Sequence, residues 1–592
     1  MTQTVGGQKS AHNWLEPKIK LEDNDLLGVA LRVDTTAVWG LAADDSALTA
    51  VGVGSLIAIE GPTPSEFLIG TLDRVTRDVI DSYDESDEVG EAYEPAGMTG
   101  QRDLFRVSLL GTYRTIEGST RDTFKRGADS FPRLDARCWL LSGSNLQALL
   151  SLTASSVPSE HRLTLGTFLA DKSAVAVADG DRLFQRHVAL VGSTGSGKSW
   201  CVALLLERAS SLPHANLIVL DIHSEYGSLT AGDDAAAVGY RIAGPGASES
   251  PASPIYLPYW LLNQEELLAL VLDRSEDNAP NQAARFTHHV RELKGATLAG
   301  LDGKADVLES YTVDSPIPFS MDDLITRLVA DDTEMVEGAA SRLIAGPFKG
   351  KLTRFISRLR ARVSDRRYSF MFRPELHTQS YDWLHEFAKS MLQTAPGIKV
   401  IDFSEVPSDA LPVVTGVFAR FLYDVQFWMS PEARTPVTIV CDEAHAYLPA
   451  EMGSVREQRA LDAFERIAKE GRKYGVSLFV VSQRPSDVSR TILSQCNNFI
   501  VLRLTNSQDQ NVVARLLPDN VTNFVSILPL MDVGECVVVG DAILLPTRIK
   551  LDKPHVAPIS ATRPFWSEWA EKASSAEAIG NAVAAMRKQS RV

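Results

Sequence analysis

The stretch Val188-Ala189-Leu190-Val191-Gly192-Ser193-Thr194-Gly195-Ser196-Gly197-Lys198-Ser199 constrains this chain more than any other. Its apolar start reads as a buried strand that runs directly into GxxxxGKS. Trp200-Cys201-Val202-Ala203-Leu204-Leu205-Leu206 reads as the helix that follows. Strand, glycine loop and helix N-terminus in that order are what a phosphate-binding loop requires. Gly192, Gly195 and Gly197 are expected to let successive backbone N–H groups face phosphate oxygens. Ser193, Thr194, Ser196 and Trp200 lie in the same contact set. The helix N-terminus adds partial positive charge. Lys198 is expected on the β- and γ-phosphates of ATP, and the Ser199 hydroxyl on Mg²⁺.

Such a loop needs an acidic partner strand. Val437-Thr438-Ile439-Val440-Cys441-Asp442-Glu443 is an apolar strand that ends in two carboxylates. Asp442 is expected to hold the Mg²⁺ shell, and Glu443 to orient and polarise the attacking water. Carboxylates at the end of a buried strand are costly unless they meet a cation, and Lys198 with Mg²⁺ meets that need. Leu217-Ile218-Val219-Leu220-Asp221 is a further parallel-type strand, with Asp221 and Glu225 at its C-terminal end, where ligand sites sit in α/β sheets. Val476 to Ser482 is another, and Gln483 at its end is a candidate γ-phosphate sensor.

At 592 residues the chain exceeds a single domain. Its five cysteines form no CxxC pair, which argues against a zinc site or a disulfide framework and fits a reducing cytoplasm. Residues 1–18 are polar, without the apolar core of a signal peptide. The longest apolar candidate, Leu411 to Met429, is broken by Arg420 and Asp424, so no membrane span is expected. A net charge of −16 argues against a protein that coats DNA, but not against a ring with a basic channel.

Residues 22–165 carry short, β-rich runs such as Gly28 to Val33, Ser55 to Glu60 and Leu104 to Leu110, which suggest a barrel or sandwich. An acidic loop with Asp81, Asp84, Glu85, Asp87, Glu88, Glu91 and Glu94 separates two of them. From 228 to 395 the pattern turns helical and strand runs stop. Within it, Lys351 to Val363 puts Arg354, Arg358 and Arg362 on the polar face of an amphipathic helix, open to a DNA reading or to ion pairs. His288 and His289 are adjacent and are assigned no metal. The expected organisation is a tail (1–21), a β-barrel (22–165), an α/β core (166–227 with 396–560), a helical insertion (228–395) and a C-terminal helix with tail (561–592).

The ordered set GSTGSGKS, Asp221-Ile222-His223-Ser224-Glu225-Tyr226, Leu257-Pro258-Tyr259-Trp260, Cys441-Asp442-Glu443-Ala444-His445, Gly471-Arg472-Lys473-Tyr474-Gly475 and Ser482-Gln483-Arg484-Pro485 resembles the HerA-like ATPases of the HerA/FtsK superfamily. The resemblance implies a RecA-like P-loop ATPase core with an N-terminal β-barrel and an inserted helical bundle. It implies a homohexamer with ATP sites between subunits, Lys198, Ser199, Asp442 and Glu443 acting in cis, and Arg472 supplied in trans. Arg186, just before the first strand, is a second arginine candidate. Such rings move duplex DNA and work with a separate nuclease or effector, in DNA repair or in anti-phage defence. Members commonly have glycine where Ser224 stands.

Two functions of different class follow. One is an ATP-driven DNA translocase or helicase, with Arg456, Arg459, Lys469 and Lys473 as candidate channel residues. The other is an assembly scaffold that activates a bound effector, of sirtuin or nuclease type, with little DNA movement. A conjugative coupling protein would need a membrane anchor. A regulatory GTPase would need a base-reading Asn/Thr-Lys-x-Asp motif after the Asp-Glu strand, and that is absent.

Overall fold

A computed structural model of the chain describes residues 19–44, 46–49, 51–79, 101–115, 122–232, 235–244, 252–337, 343–393, 397–451, 455–517, 519–560, 563–571 and 573–588. Two compact units emerge: Met1–Leu183 with Ile500–Asp552, and Phe184–Phe499 with Lys553–Val592.

The first unit opens with seven antiparallel strands: β1 (Leu26–Val33), β2 (Ala37–Ala42), β3 (Leu56–Glu60), β4 (Glu66–Val79), β5 (Gln101–Arg114), β6 (Thr123–Arg126) and β7 (Arg137–Leu140). Their order is β2-β1-β7-β3-β4-β5, and β5 pairs back onto β2, so the barrel closes; β6 lies on β5. Alternate residues fill the interior with Leu27, Val38, Ile57, Leu68, Phe105 and Val107. Closure is tight around Phe105, where a Cβ on Gly40 would stand 2.2 Å from the ring. The acidic loop at 81–94 lies outside the described residues. The hairpin β8 (Arg162–Phe168) and β9 (Val175–Asp179) belongs to the same unit.

The second unit begins with β10 (Val188–Val191), the helix Lys198–Ser210, β11 (Leu217–Asp221), β12 (Val238–Ile242) and β13 (Ser253–Ile255). After a mainly helical stretch that holds the small hairpin β14 (Met335–Glu337) and β15 (Leu343–Ala345) come β16 (Ile398–Asp402), β17 (Val437–Cys441) and β18 (Val476–Ser482). These strands form a parallel sheet in the order β13-β12-β16-β11-β17-β18-β10. Every residue of β10, β11, β17 and β18 is buried, as a sheet covered on both faces requires. Asn498–Leu502 (β19) carries the chain back to the first unit, where β20 (Glu535–Gly540) and β21 (Thr547–Leu551) pair antiparallel and β21 joins β8.

The expectation that strand runs stop after 228 is corrected by β12 and β13. β13 is the edge strand and β12 lies next to it, both of mixed polarity, and Pro254 in β13 is tolerated at an edge, so neither shows the continuous apolar run of a central strand. The arginine stripe resolves into ion pairs. On the helix Thr353–Ser364, Arg358 meets Glu276 at 2.7 Å and Arg362 meets Asp409 at 3.4 Å. The C-terminal segment forms two helices, Phe565–Glu571 and Ala576–Lys588. No described helix is long and apolar enough to cross a membrane.

Candidate functional site

Sheet order assembles the site. The strands β11, β17, β18 and β10 are consecutive neighbours, so Asp221, Asp442-Glu443, Gln483 and the glycine loop all emerge from one edge of the sheet. This is the C-terminal edge of parallel strands, where ligands of α/β proteins bind. The parallel registers Leu220↔Cys441, Cys441↔Val480 and Val191↔Ser482 bring these four strand ends level.

In the loop, Gly195 (φ 72°) and Gly197 (φ 107°) occupy the left-handed region that favours glycine. Gly192 does not, and its N–H donates to the Ser482 carbonyl at 3.3 Å. The role expected for Gly192, a turn that aims its N–H at phosphate, is therefore corrected: it joins the loop to β18. Ser196 is buried, Ser193 is half-buried and Thr194 is exposed. Lys198 opens the helix and is buried, with its Nζ 3.5 Å from the Ser193 carbonyl. Burial pushes its pKa down, against the pull of Glu443, Asp442 and Glu225. Trp200 is exposed on the first turn.

Opposite Lys198 lies an excess of acid. Burial drives the Asp442 carboxyl well above the usual range, reinforced by Glu443, Asp221 and Glu225. Burial raises Asp221 to about 6, with Asp402 and Glu225 adding to it. The Asp221 carboxylate accepts the N–H groups of Glu225 and Tyr226, both at 2.9 Å, so it shapes its own loop. That loop delivers Glu225 to the Ser199 hydroxyl, which donates to Oε2 at 2.5 Å. Ser224 stands at φ 60°, which explains why glycine suits this position; its hydroxyl donates to Asp402 at 3.3 Å. Glu443 is itself left-handed, at φ 44°, a conformation held by its surroundings and typical of functional sites.

Gln483 links the two motifs. Its Oε1 accepts the Thr194 hydroxyl at 2.5 Å, and its Nε2 donates to Glu443 Oε1. The amide thus touches both the glycine loop and the carboxylate expected to polarise water. Asp442 Oδ2 and Glu443 Oε2 are buried without a hydrogen-bond partner. Unsatisfied carboxylate oxygens, a nearby serine hydroxyl and surplus negative charge fit a hard divalent cation such as Mg²⁺. Ser199 and Asp442 would hold it, and it would neutralise phosphate charge.

Arg472 lies in the short turn Gly471–Tyr474 after the helix Val455–Glu470, exposed and with no carboxylate partner among the described residues. Arg186 is half-buried and its carbonyl accepts the Asn497 N–H at 3.0 Å.

The family model described as the central domain of helicase HerA matches residues 163–422. Over that stretch the chain is similar to the HerA-like ATPases. It is 25% identical over 422 residues to the DNA double-strand break repair helicase HerA of Pyrococcus furiosus, covering 66% of this chain and 69% of that one. It is 24% identical over 449 residues to a probable helicase of Methanocaldococcus jannaschii, covering 75% and 76% of the two chains. Among solved structures, VirB4 of Thermoanaerobacter pseudethanolicus aligns with a TM-score of 0.44 and 16% identity, over 69% of this chain and 99% of that one.

The site is that of an ATP-dependent hydrolase, and its phosphate loop and acidic strand are the parts that sequence reading found. That reading missed the Thr194–Gln483–Glu443 chain of hydrogen bonds, which is tertiary. It gave no role to His187, which stands one residue before β10. Of the channel candidates, Arg459 pairs with Glu265 at 3.3 Å and Lys469 with Glu465 at 3.1 Å; Lys473 is exposed, and the side chain of Arg456 lies outside the described residues. His288, His289 and Glu292, which lies one helical turn on from both, converge within 4.8 Å. Glu292 is already held by Arg327 at 2.9 Å, and His289 by Asp331 at 2.7 Å.

Proposed function

We propose that this HerA-like ATPase is a translocase of duplex DNA that works as a homohexamer, with Arg472 of each subunit reaching the nucleotide of its neighbour. The observation that carries this reading is the charge deficit at the site. Lys198 is set against three carboxylates, Glu225, Asp442 and Glu443, and Asp221 adds a fourth negative group beside Asp442, while Arg472 is exposed and has no carboxylate partner among the described residues. A transferred phosphoryl group spreads negative charge over its oxygens, and an arginine supplied in trans neutralises it. Glu443 orients the attacking water and takes up its proton. Gln483, bonded to both Thr194 and Glu443, senses whether the γ-phosphate is in place. The relatives' names add DNA double-strand break repair as the setting. A separate nuclease, or an effector of anti-phage defence, completes the machine.

A scaffold that activates an effector without much DNA movement is the second reading. The net charge of −16 and the internal pairing of Arg459 and Lys469 favour it.

Steady-state ATP turnover with and without linear duplex DNA separates the two, with Lys198→Ala and Glu443→Ala as controls. The translocase reading expects DNA to raise turnover severalfold and both substitutions to abolish it. Turnover that is lost in both variants but indifferent to DNA would leave the ATPase standing and favour the scaffold.

A further inference from the structure

His187 is buried at the entrance to β10, with its backbone at φ 54°. Its imidazole makes two hydrogen bonds. The Leu478 N–H donates to Nδ1 at 2.9 Å, which makes Nδ1 the acceptor. The proton therefore sits on Nε2, which donates to the Ala468 carbonyl at 3.1 Å. Burial, opposed by the Ala468 contact and assisted by the charge of Arg472, lowers the pKa to about 4, so the ring is neutral.

The two contacts fall at the two ends of one segment. Ala468 is in the last turn of the helix Val455–Glu470, and Leu478 is the third residue of β18. Between them runs Gly471-Arg472-Lys473-Tyr474-Gly475. This turn is drawn tight: a Cβ on Gly471 would stand 2.5 Å from the Val476 carbonyl oxygen, and Gly475 adopts φ 74°. One ring thus grips both feet of the turn that carries Arg472. The same residue leads through β10 directly into the glycine loop, and β18 leads to Gln483.

We propose that His187 is a positioning residue that fixes Arg472 relative to the phosphate loop of its own subunit. A shift of the loop on nucleotide binding or release is passed through β10 and the ring to the arginine offered to the next site. Successive sites are thereby coupled. This rests on the reading of Arg472 as acting in trans.

The test uses the full chain with ATP and duplex DNA, and measures kcat, KM and thermal midpoint. His187→Phe fills the space without either hydrogen bond. His187→Gln carries one donor and one acceptor and shares the same backbone strain. Both are compared with Arg472→Ala and with the double variant His187→Phe/Arg472→Ala. We expect His187→Phe to lower kcat at least tenfold with KM for ATP within twofold, His187→Gln to recover most of the loss, and the double variant to be no slower than Arg472→Ala. Should His187→Phe not fold, His187→Asn, too short to span both partners, takes its place. Losses that multiply in the double variant, or a glutamine as slow as phenylalanine, overturn the proposal while leaving Arg472 in its role. An Arg472→Ala protein of full activity overturns the trans arginine, and the coupling with it.

Discussion

Two groups of buried and half-buried carboxylates in the second unit are treated in opposite ways. Away from the sheet's edge each meets a cation of its own. Glu266 accepts two hydrogen bonds from Arg420, at 2.7 and 2.9 Å, and Asp331 accepts two from Arg285, at 2.6 and 3.0 Å. Glu276 is held by Arg358. At the strand ends, Glu225, Asp442 and Glu443 converge on Lys198, Asp221 crowds Asp442, and Asp442 Oδ2 and Glu443 Oε2 accept no hydrogen bond, with His445 Nδ1 3.3 Å from the latter. The first arrangement satisfies the chain. The second leaves charge to be satisfied by what binds, which is why shifted pKa values gather there.

Substitutions can break this contrast from either side. The largest effect is expected from Glu443→Ala. It removes the group that polarises water and should cut turnover by about a thousandfold, read as kcat in a steady-state assay. Among the paired carboxylates, Arg420→Ala strands Glu266 and should cost about 3 kcal/mol in denaturant unfolding, with the site's geometry otherwise intact. His187 belongs with the satisfied groups. Because its folded pKa lies below the unfolded value of about 6.5, the stability it contributes is present above pH 6.5 and is lost as pH falls toward 4. Unfolding at pH 7 and pH 5 should therefore differ by about 2 kcal/mol more in the parent than in His187→Gln.

Asp442→Asn sharpens the contrast by reversing the usual sign. It should lower turnover yet raise the nucleotide-free protein's stability by about 1 kcal/mol, because it removes a buried carboxyl that is crowded by Glu443, Asp221 and Glu225 and whose Oδ2 accepts no hydrogen bond. The smallest effect is expected at Ser224. Glycine relieves the left-handed backbone but forfeits the bond to Asp402, so Ser224→Gly should stay within about 0.5 kcal/mol of the parent, whereas Ser224→Ala keeps the strain and loses the bond, costing about 1 kcal/mol. Denaturant midpoints of the two variants decide this.

The parts legible in the sequence are those where chemistry acts through neighbours along the chain. Glycines two and three apart before Lys198 announce the phosphate loop, and an apolar run that ends in Asp442-Glu443 announces its partner. Central strands such as β11 and β17 are legible because burial on both faces leaves only apolar residues. The edge strand β13 and its neighbour β12 are not, since both are only partly buried and so escape that demand. Contacts between distant stretches stay hidden for another reason. Nothing local to His187 reveals Ala468 or Leu478, and nothing local to Arg358 reveals Glu276. Gly192 shows the limit within a motif, because its N–H is committed to Ser482 by a strand that begins nearly 300 residues later.

The closed N-terminal barrel has a consequence for recognition. A sheet that pairs its first strand with its last offers partners no ladder of free N–H and C=O groups. Among the described residues two borders run past the circuit: the far end of the β4–β5 pair, where β4 carries Arg74 and Arg77, and β6, four residues long with Lys125 and Arg126 among them; charged borders of this kind resist strand addition. A protein that docks on this barrel must therefore read side chains and loops, and copies of the barrel held close together are protected from fusing through their backbones.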